Sequence, residues 1–223
     1  RRCLVGSEMC IRDSSSRIVP KSIMQTYKVL ITGNKYYGLC KAICNIFDSV
    51  DYISYHTASR SNNWSLDQAS EQTRLADYFV DNDFDIFINN SAIWKFHQVM
   101  IAEQVYTKCI DKQKPAHIIN IGSTADTGVK GRTWRYPTEK KALKDYNRDL
   151  TYMAIGGSNI KTTLISPGSL NTSSVMKKHP DRKLIDTDYI AELVLWLIKQ
   201  PTYVNINEIS LDPIQLGKFA RER

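Results

Sequence analysis

Three side chains in the middle of the chain have types and a spacing suited to proton transfer. Ser123 follows the β-branched run Ile118–Ile121, which predicts a buried strand. Tyr136 and Lys140 are four residues apart at the start of a predicted helix, so they project from one face of it. A nearby ammonium group lowers the pKa of a phenol from about 10, and such a phenol can act as a general acid or base. Ser123, Tyr136 and Lys140 are therefore a candidate catalytic set, unless the Tyr-x-x-x-Lys spacing is accidental.

Strand and helix patterns alternate around this set. The predicted strands are Lys28–Thr32, Val50–His56, Asp85–Asn90, Ile118–Ile121, Lys161–Ser166 and Asn207–Leu211. The predicted helical stretches are Gly38–Phe47, Leu66–Asn82, Ser91–Gln113, Tyr136–Gly156 and Thr187–Gln200. Apolar strands that alternate with helices predict an α/β fold, a doubly wound, mostly parallel sheet of the Rossmann type with helices on both faces. Ligands bind such sheets at the carboxyl ends of the strands, where Ser123 lies.

The first predicted strand leads into a glycine-containing turn, Thr32-Gly33-Asn34-Lys35-Tyr36-Tyr37-Gly38-Leu39-Cys40. Glycine allows a tight turn and lets a pyrophosphate approach the backbone N–H groups at the start of the following helix. The turn therefore predicts a dinucleotide site, whose candidate residues are Thr32, Gly33, Asn34, Lys35, Tyr37, Gly38 and Leu39.

The end of the second predicted strand bears on the choice of dinucleotide. Enzymes that use NAD usually have an acidic residue there, which binds the ribose hydroxyl groups. The stretch from His56 to Ser61 contains no acid, whereas Arg60 has a side chain that can pair with a 2′-phosphate. Ser59 and Arg60 are therefore candidate cofactor-binding residues, and NADP(H) is favoured over NAD(H). The alternative is that Arg60 is an ordinary exposed arginine of a polar loop.

Together these stretches resemble the short-chain dehydrogenase/reductase family, over nearly all of Tyr27–Pro213. The glycine turn matches the family's first motif, and Asn89-Asn90-Ser91-Ala92 is similar to its Asn-Asn-Ala-Gly strand end. Ser123 and Tyr136 have the family's usual separation of thirteen residues. Pro167-Gly168 matches a later turn of the family, and Thr172 its threonine beside the nicotinamide.

The resemblance implies hydride transfer between NADP(H) and a small carbonyl or alcohol substrate. By the same resemblance, Tyr136 exchanges the proton, Lys140 holds the nicotinamide ribose, and Ser123 hydrogen-bonds the substrate oxygen. Further cofactor-binding residues that it implies are Asn90, Ser91, Ala92, Tyr136, Lys140, Pro167, Gly168, Leu170 and Thr172. It also implies a homodimer or homotetramer that pairs through Ser91–Gln113 and Tyr136–Gly156.

Three departures from the family pattern keep a second function open. The glycine turn is one residue longer than usual between Gly33 and Gly38, and Cys40 replaces the last glycine. The family's asparagine that helps hold a proton-relay water has no counterpart, because Lys95, Phe96 and His97 occupy its region. The segment between Gly168 and Asp186 is short, which predicts an open pocket. The alternative function is a non-catalytic NAD(P)-binding sensor or regulator.

Composition argues for an ordinary globular protein. The 223 residues are 42% apolar and 24% charged, which predicts one globular domain. Residues 1–23 carry +3 of the net charge of +7, so the remaining charge is small and we predict no nucleic-acid partner. No apolar run is long enough to cross a bilayer, so we predict no membrane segment. Cys40, Cys44 and Cys109 lack paired ligand spacing, and the four histidines are scattered. These patterns predict no metal site and favour the cytoplasm.

Residues 1–23 look foreign to the domain. Leu4–Asp13 resembles the translation of an adapter used in sequencing libraries. A short signal peptide is the competing interpretation, although Glu8, Arg12 and Asp13 interrupt any apolar segment. We expect residues 1–23 to be a non-native or disordered extension and residues 24–223 to form a single NAD(P)-binding catalytic domain.

Overall fold

The computed structural model describes residues 25–127 and 135–214. In the described part of the chain, six strands form one all-parallel sheet. They are β1 (Tyr27–Thr32), β2 (Ile53–Ala58), β3 (Ile86–Asn89), β4 (Ala116–Ile121), β5 (Ile160–Pro167) and β6 (Glu208–Leu211). The helices are α1 (Gly38–Asp48), α2 (Ala69–Asp81), α3 (His97–Asp111), α4 (Arg135–Ile155), α5 (Ser173–Lys178) and α6 (Thr187–Ile198). The predicted doubly wound α/β fold is confirmed.

The strand order is β2-β1-β3-β4-β5-β6, so the order reverses between β1 and β3. At such a reversal the connections leave the sheet in opposite directions, which opens a crevice at the carboxyl ends of the two strands. Thr32 ends β1 and Asn89 ends β3 on the two sides of this crevice. The topology therefore places the glycine turn and the Asn-Asn strand end in one cleft.

The two faces of the sheet bury two separate apolar layers. Val29 and Ile31 of β1 pack in one cluster, with residues of α1 and α6 such as Ile43 and Val194. Leu30 points the other way and packs with residues of α2 and α3. Successive strand residues face opposite sides of a sheet, so a strand that is apolar throughout must be covered on both faces. This explains why the predicted central strands lack polar alternation, whereas β2, at the edge of the sheet, alternates between more buried and more exposed residues.

One predicted helical stretch is shorter in the structure. The stretch Ser91–Gln113 was expected to be helical, but α3 begins at His97. Lys95 and Phe96 have φ angles of 65° and 62°, a left-handed conformation that residues with a side chain rarely adopt. The carboxylate of Glu139 on α4 accepts a hydrogen bond of 2.9 Å from the Lys95 N–H. A tertiary contact therefore holds the turn before α3, and no local pattern could have predicted it.

The short helix α5 was not predicted, and the proposed extension of residues 1–23 lies outside the described residues. Among the helices of residues 25–127 and 135–214, none is long and apolar enough to cross a membrane. The same residues contain no group of three acidic, histidine or cysteine side chains arranged to hold a metal ion.

One histidine is part of the core. His117 on β4 is buried, and its Nε2 atom lies 2.9 Å from the Thr163 hydroxyl of the neighbouring strand β5. Burial, with a smaller effect of the Lys161 charge, lowers the pKa of His117 to about 3. The imidazole is therefore neutral in the folded protein at ordinary pH, as expected for a packing residue.

We predict that His117 makes the fold sensitive to acid. The unfolded chain has the ordinary histidine pKa of about 6.5, so it takes up the proton first as the pH falls. The histidine's effect on stability is therefore absent above about pH 6.5 and destabilising below it, by up to about 1.4 kcal/mol per pH unit until about pH 3. Urea unfolding between pH 7 and pH 4 should show a shallower loss for His117→Gln than for the parent.

The matched control is His179→Gln, which removes an exposed imidazole. This variant should keep the acid sensitivity of the parent. Parallel stability curves for the parent and His117→Gln would contradict the assignment.

Candidate active site

The structure brings the three predicted catalytic side chains together. Ser123 follows the end of β4, and Tyr136 and Lys140 lie on the first turns of α4. The Tyr136 hydroxyl is hydrogen-bonded to the Ser123 side chain. Nζ of Lys140 lies 5.5 Å from the centroid of the Tyr136 ring. A hydroxyl, a phenol and an ammonium group therefore meet at the carboxyl end of a central strand.

Lys140 is almost completely buried, with 4% of its surface exposed. Its ammonium group donates hydrogen bonds to Oε1 of Gln98 at 2.7 Å and to the backbone oxygen of Ile121 at 2.8 Å. Burial lowers the pKa of Lys140 to about 8, while the carboxylates of Glu139 and Asp126 act in the opposite direction. The lysine is therefore charged at neutral pH, although it titrates much closer to neutrality than an exposed lysine does.

The pKa of Tyr136 departs from the sequence-based expectation. Burial raises the pKa of Tyr136, the hydrogen bond from Ser123 partly offsets that rise, and the Asp126 charge adds to it. The prediction that Lys140 lowers this pKa is wrong for the structure described. The physical reason is that the ammonium group is directed at Gln98 and Ile121, while the phenol is packed against Trp94 at a ring-centroid distance of 6.3 Å.

Gln98 is a site residue that the sequence analysis missed. It lies on α3, next to His97, in the region where the sequence has no counterpart of the family's asparagine, and it is 5% exposed. Its Nε2 atom donates to the backbone oxygens of Asn89 at 2.8 Å and Ile121 at 3.0 Å. The sequence pattern could have identified it. Gln98 precedes the apolar residues Ile101 and Ala102 by three and four positions, so it lies on the same, buried face of the helix.

The two glycines of the turn have positive φ angles and let neighbouring side chains lie close to the backbone. Gly33 has a φ angle of 140°, and a Cβ atom placed there would lie 2.7 Å from Nδ2 of Asn90. Gly38 has a φ angle of 54°, and a Cβ atom placed there would lie 3.5 Å from Cγ2 of Thr172. The turn after β1, the end of β3 and the loop after β5 therefore meet in one cleft, as predicted.

Two of the predicted cofactor-binding residues shape this turn from within. Thr32 is fully buried, and its hydroxyl accepts hydrogen bonds from the backbone N–H groups of Asn90 at 2.9 Å and Ser91 at 3.0 Å. Asn90 in turn donates from Nδ2 to the Thr32 backbone oxygen at 3.1 Å. Leu39 is buried in the layer beneath α1. Thr32 and Leu39 therefore fix the position of the turn without presenting their side chains to the cleft.

The outer part of the turn leaves the start of α1 accessible. Asn34 accepts a hydrogen bond of 2.9 Å from the Tyr36 N–H, and the Lys35 ammonium lies over the Tyr36 ring. Tyr37 is exposed and precedes the helix, but its side chain makes no capping hydrogen bond, and the first turn of α1 contains no acid. An anion can therefore approach the N–H groups at the start of α1.

The loop after β5 is held by the last strand. The Gly168 N–H donates to the Leu211 backbone oxygen at 2.8 Å, and a side chain at Gly168 would overlap Asp212. Pro167 pairs with Leu211 in the sheet, and Leu170 pairs with Ile185 in an isolated bridge. Thr172 then precedes α5. The loop thus places Thr172 near Gly38.

Ala92, another predicted cofactor-binding residue, lies after β3 and lines a recess beside Tyr136.

The structure adds an acid to the end of the second strand. Arg60 forms a 2.7 Å ion pair with Asp67, a residue from the loop before α2. The Ser59 N–H donates to the Asn62 side chain at 2.7 Å, so Ser59 belongs to a tight turn. The stretch from His56 to Ser61 itself contains no acid. Only the folded chain brings Asp67 to Arg60.

A small recess adjoins the catalytic set. It has a volume of about 80 Å³, and its walls include Ile93, Trp94, Phe96 and Val99. Tyr136 and Lys140 also line it. The recess can therefore accept a small apolar group beside the phenol.

No protein-family model matches the chain. An uncharacterized oxidoreductase of Staphylococcus aureus strain MW2 is 31% identical over 143 residues, which are 64% of this chain and 59% of that protein. An uncharacterized oxidoreductase of Staphylococcus saprophyticus is 31% identical over 103 residues, 46% of this chain and 44% of that protein. The chain thus matches 59% of the length of the first of these curated relatives and 44% of the length of the second.

Solved structures match a larger share of the chain. Serine dehydrogenase complexed with NADP⁺ has a TM-score of 0.63 at 17% identity, covering 82% of this chain and 94% of the other. 4-Hydroxyisoleucine dehydrogenase complexed with NADH has a TM-score of 0.67 at 17% identity, covering 84% of this chain and 97% of the other. A protein described as a short chain dehydrogenase/reductase has a TM-score of 0.65 at 16% identity, covering 85% of this chain and 97% of the other. The resemblance in the motifs is thus matched by the architecture, and the chain has the fold of the short-chain dehydrogenase/reductase family.

Proposed function

We propose that this protein is an NADP(H)-dependent oxidoreductase that transfers a hydride between the nicotinamide and a small carbonyl or alcohol substrate. The observation that carries the proposal is the Tyr136–Ser123 hydrogen bond beside the Lys140 ammonium group. This set lies at the same edge of the sheet as the glycine turn. The names of the relatives and structural neighbours, which are oxidoreductases and dehydrogenases, support the proposal.

The residues of the cleft fit a dinucleotide. The N–H groups at the start of α1 would bind the pyrophosphate, because the first turn of this helix contains no acid and no side chain caps it. Gly33 and Gly38 let Asn90 and Thr172 lie close to the turn. The described residues place two hydrogen-bond acceptors on the Lys140 ammonium, which leaves one N–H for the nicotinamide ribose. When bound, the cofactor supplies or accepts the hydride, and the protein supplies position and electrostatics.

The protein's own residues handle the proton. Ser123 hydrogen-bonds the substrate oxygen, and the Tyr136 hydroxyl gives that oxygen a proton when a carbonyl is reduced. The phenol is protonated at neutral pH, so it has a proton to give, and its raised pKa makes it a weaker acid than an exposed tyrosine. The recess beside Trp94 and Phe96 accepts an apolar substituent of the substrate.

We predict that Tyr136→Phe abolishes turnover and keeps the cofactor bound, because the substitution removes only the hydroxyl group. General acid–base catalysis is worth about 10²–10⁴-fold, so the loss should be at least of that size. Ser123→Ala should lose rate with little change in cofactor affinity, whereas Lys140→Met should lose both. NADPH oxidation over a panel of aldehydes and ketones measures the rate, and NADPH fluorescence measures the affinity.

The matched control is Tyr189→Phe, which removes an exposed phenolic hydroxyl on α6 and should leave the rate unchanged. Turnover by Tyr136→Phe at the parent rate would exclude Tyr136 as the acid.

The second candidate function is a cofactor-binding sensor or regulator that does not turn over. Two observations favour it. The Lys140 ammonium donates its hydrogen bonds to Gln98 and Ile121, and the raised pKa of Tyr136 makes the phenol a weaker acid. This function is supported if the parent binds NADPH and oxidises it with no member of the carbonyl panel.

We predict that Arg60 and Asp67 set the preference between the two dinucleotides. Arg60 can pair with a 2′-phosphate only by giving up or sharing the 2.7 Å ion pair with Asp67. Arg60→Ala should weaken NADPH binding about tenfold or more without changing NADH binding, since hydrogen bonds to charged groups contribute about 1.5–3 kcal/mol. Asp67→Asn should strengthen NADPH binding, because it frees the guanidinium and removes a negative charge.

Fluorescence titration with both cofactors measures these affinities. Arg148→Ala, which removes an exposed arginine on α4, is the control and should leave them unchanged. Equal affinities of the parent for NADPH and NADH would contradict the role of Arg60.

We also propose that the protein forms a homodimer or homotetramer in the cytoplasm. Cys40, Cys44 and Cys109 are buried as free thiols, which is typical of a reducing compartment. The end of α4 exposes Tyr152, Met153 and Ile155, and α3 exposes Met100 and Ile110. Apolar side chains grouped on two helices are typical of a self-association surface.

Light scattering should therefore give a multiple of the 25.5 kDa chain mass. Tyr152→Glu should lower this mass, because it places a charge in the apolar surface. Tyr203→Glu, at an exposed position outside both helices, is the matched control. A monomer mass for the parent at micromolar concentration would refute the assembly.

A further inference from the structure

We propose that Gln98 is the positioning residue of Lys140, and that its side-chain oxygen holds the ammonium group in place by direct contact. Nζ of Lys140 lies 2.7 Å from Oε1 of Gln98 across the contact between α4 and α3. The two residues are 42 positions apart in the chain. Both are at least nine-tenths buried, so water cannot easily replace either partner.

The orientation of the Gln98 amide is fixed by its other contacts. Nε2 donates to the backbone oxygens of Asn89 and Ile121 at 2.8 and 3.0 Å. If the amide were rotated, its oxygen would face those two acceptors and its NH₂ group would face an ammonium group that can only donate. Oε1 must therefore point at Lys140. Asn89 also donates from its side chain to the Gln98 backbone oxygen at 2.8 Å, which holds this turn of α3 on the strand.

The contact matters because Gln98 provides one of the hydrogen-bond acceptors that stabilise the charge of Lys140. Among the described residues, the ammonium donates hydrogen bonds to Gln98 and to the Ile121 carbonyl. A buried ammonium group that loses one acceptor is destabilised relative to the neutral amine.

Several charged or titratable groups face the lysine. Glu139 and Asp126 favour its ammonium form. Glu139 also accepts from the Lys95 N–H, and Asp126 lies 3.7 Å from the Lys144 ammonium. The Tyr136 phenol lies beside the lysine on the same helix. Burial outweighs these charges and brings the pKa of Lys140 to about 8, so the removal or addition of one contact should change its protonation near neutral pH.

Gln98→Glu and Gln98→Met form a matched pair that tests the proposal. Both remove the Nε2 donors, so both should lose stability. They differ in what faces the ammonium group. A carboxylate should raise the pKa of Lys140 by about one unit or more, and a thioether should lower it by a similar amount, each about a tenfold change in the protonation equilibrium.

The pKa can be measured without cofactor or substrate. The ¹³Cε signal of Lys140 in the ¹³C-lysine-labelled full chain is followed by NMR between about pH 6 and pH 11 and assigned by its loss in Lys140→Met. Gln104→Glu adds a charge elsewhere on α3 and should leave the titration unchanged. If Gln98→Met does not fold, Gln98→Asn withdraws the amide from the ammonium and should also lower the pKa.

The proposal is overturned if the titration of Lys140 is the same in the parent and in the Gln98 variants, or if both variants shift it in one direction. Either result would leave Gln98 with a packing role only. The inference on turnover rests on the proposed function: in an active enzyme, the lysine-dependent limb of the kcat/KM pH profile should move with the NMR titration. A parent without reductase activity would refute the proposed function, and the titration would still decide the role of Gln98.

Discussion

The burial of the Lys140 ammonium is the constraint on which the site depends. A charge removed from water without partners costs several kcal/mol, so the protein must place acceptors around it. A backbone oxygen at the end of β4 and a side chain of α3 provide them. These contacts fix α4 relative to both elements, and Tyr136, one turn before the lysine, is thereby held beside Ser123.

A chain of buried asparagines extends this constraint across the sheet. Asn89 on β3 donates to Asn120 on β4 at 2.9 Å, and Asn120 donates to Asn147 on α4 at 3.0 Å. Asn147 donates in turn to the backbone oxygen of Asn207, just before β6, at 3.2 Å. Each amide restricts its neighbour, because a buried polar group that loses its partner pays the full cost of desolvation. The helix α4, which carries Tyr136 and Lys140, is thus held at several points along its length.

Two features shape the side of the cleft that carries the glycine turn: the hydrogen bonds of Thr32 and the ion pair between Arg60 and Asp67. The Thr32 hydroxyl joins the end of β1 to the turn after β3 by two hydrogen bonds. The start of α1 has no side-chain cap and no acid, so an anion can approach it. At the second strand, the Arg60 guanidinium already has Asp67 as its partner. Under the proposed function, a 2′-phosphate would compete with that carboxylate for Arg60, so the ion pair would affect the choice of cofactor.

The sequence by itself determined the six strands, the parallel sheet and the meeting of Ser123, Tyr136 and Lys140. Apolar periodicity identifies buried strands, and a parallel sheet brings their carboxyl ends to one edge. The sequence also indicated a dinucleotide turn at Gly33 and Gly38, where the backbone adopts positive φ angles.

Only the tertiary structure decided how these groups are tuned. The Gln98–Lys140 contact and the left-handed turn held by Glu139 each join elements that are far apart in the chain, and Asp67 reaches Arg60 from outside the strand end. The direction of the Tyr136 pKa shift depends on burial, which no local spacing specifies. Residue types therefore determined which chemistry the site contains, whereas the packing around them determined which groups are charged and what each one contacts.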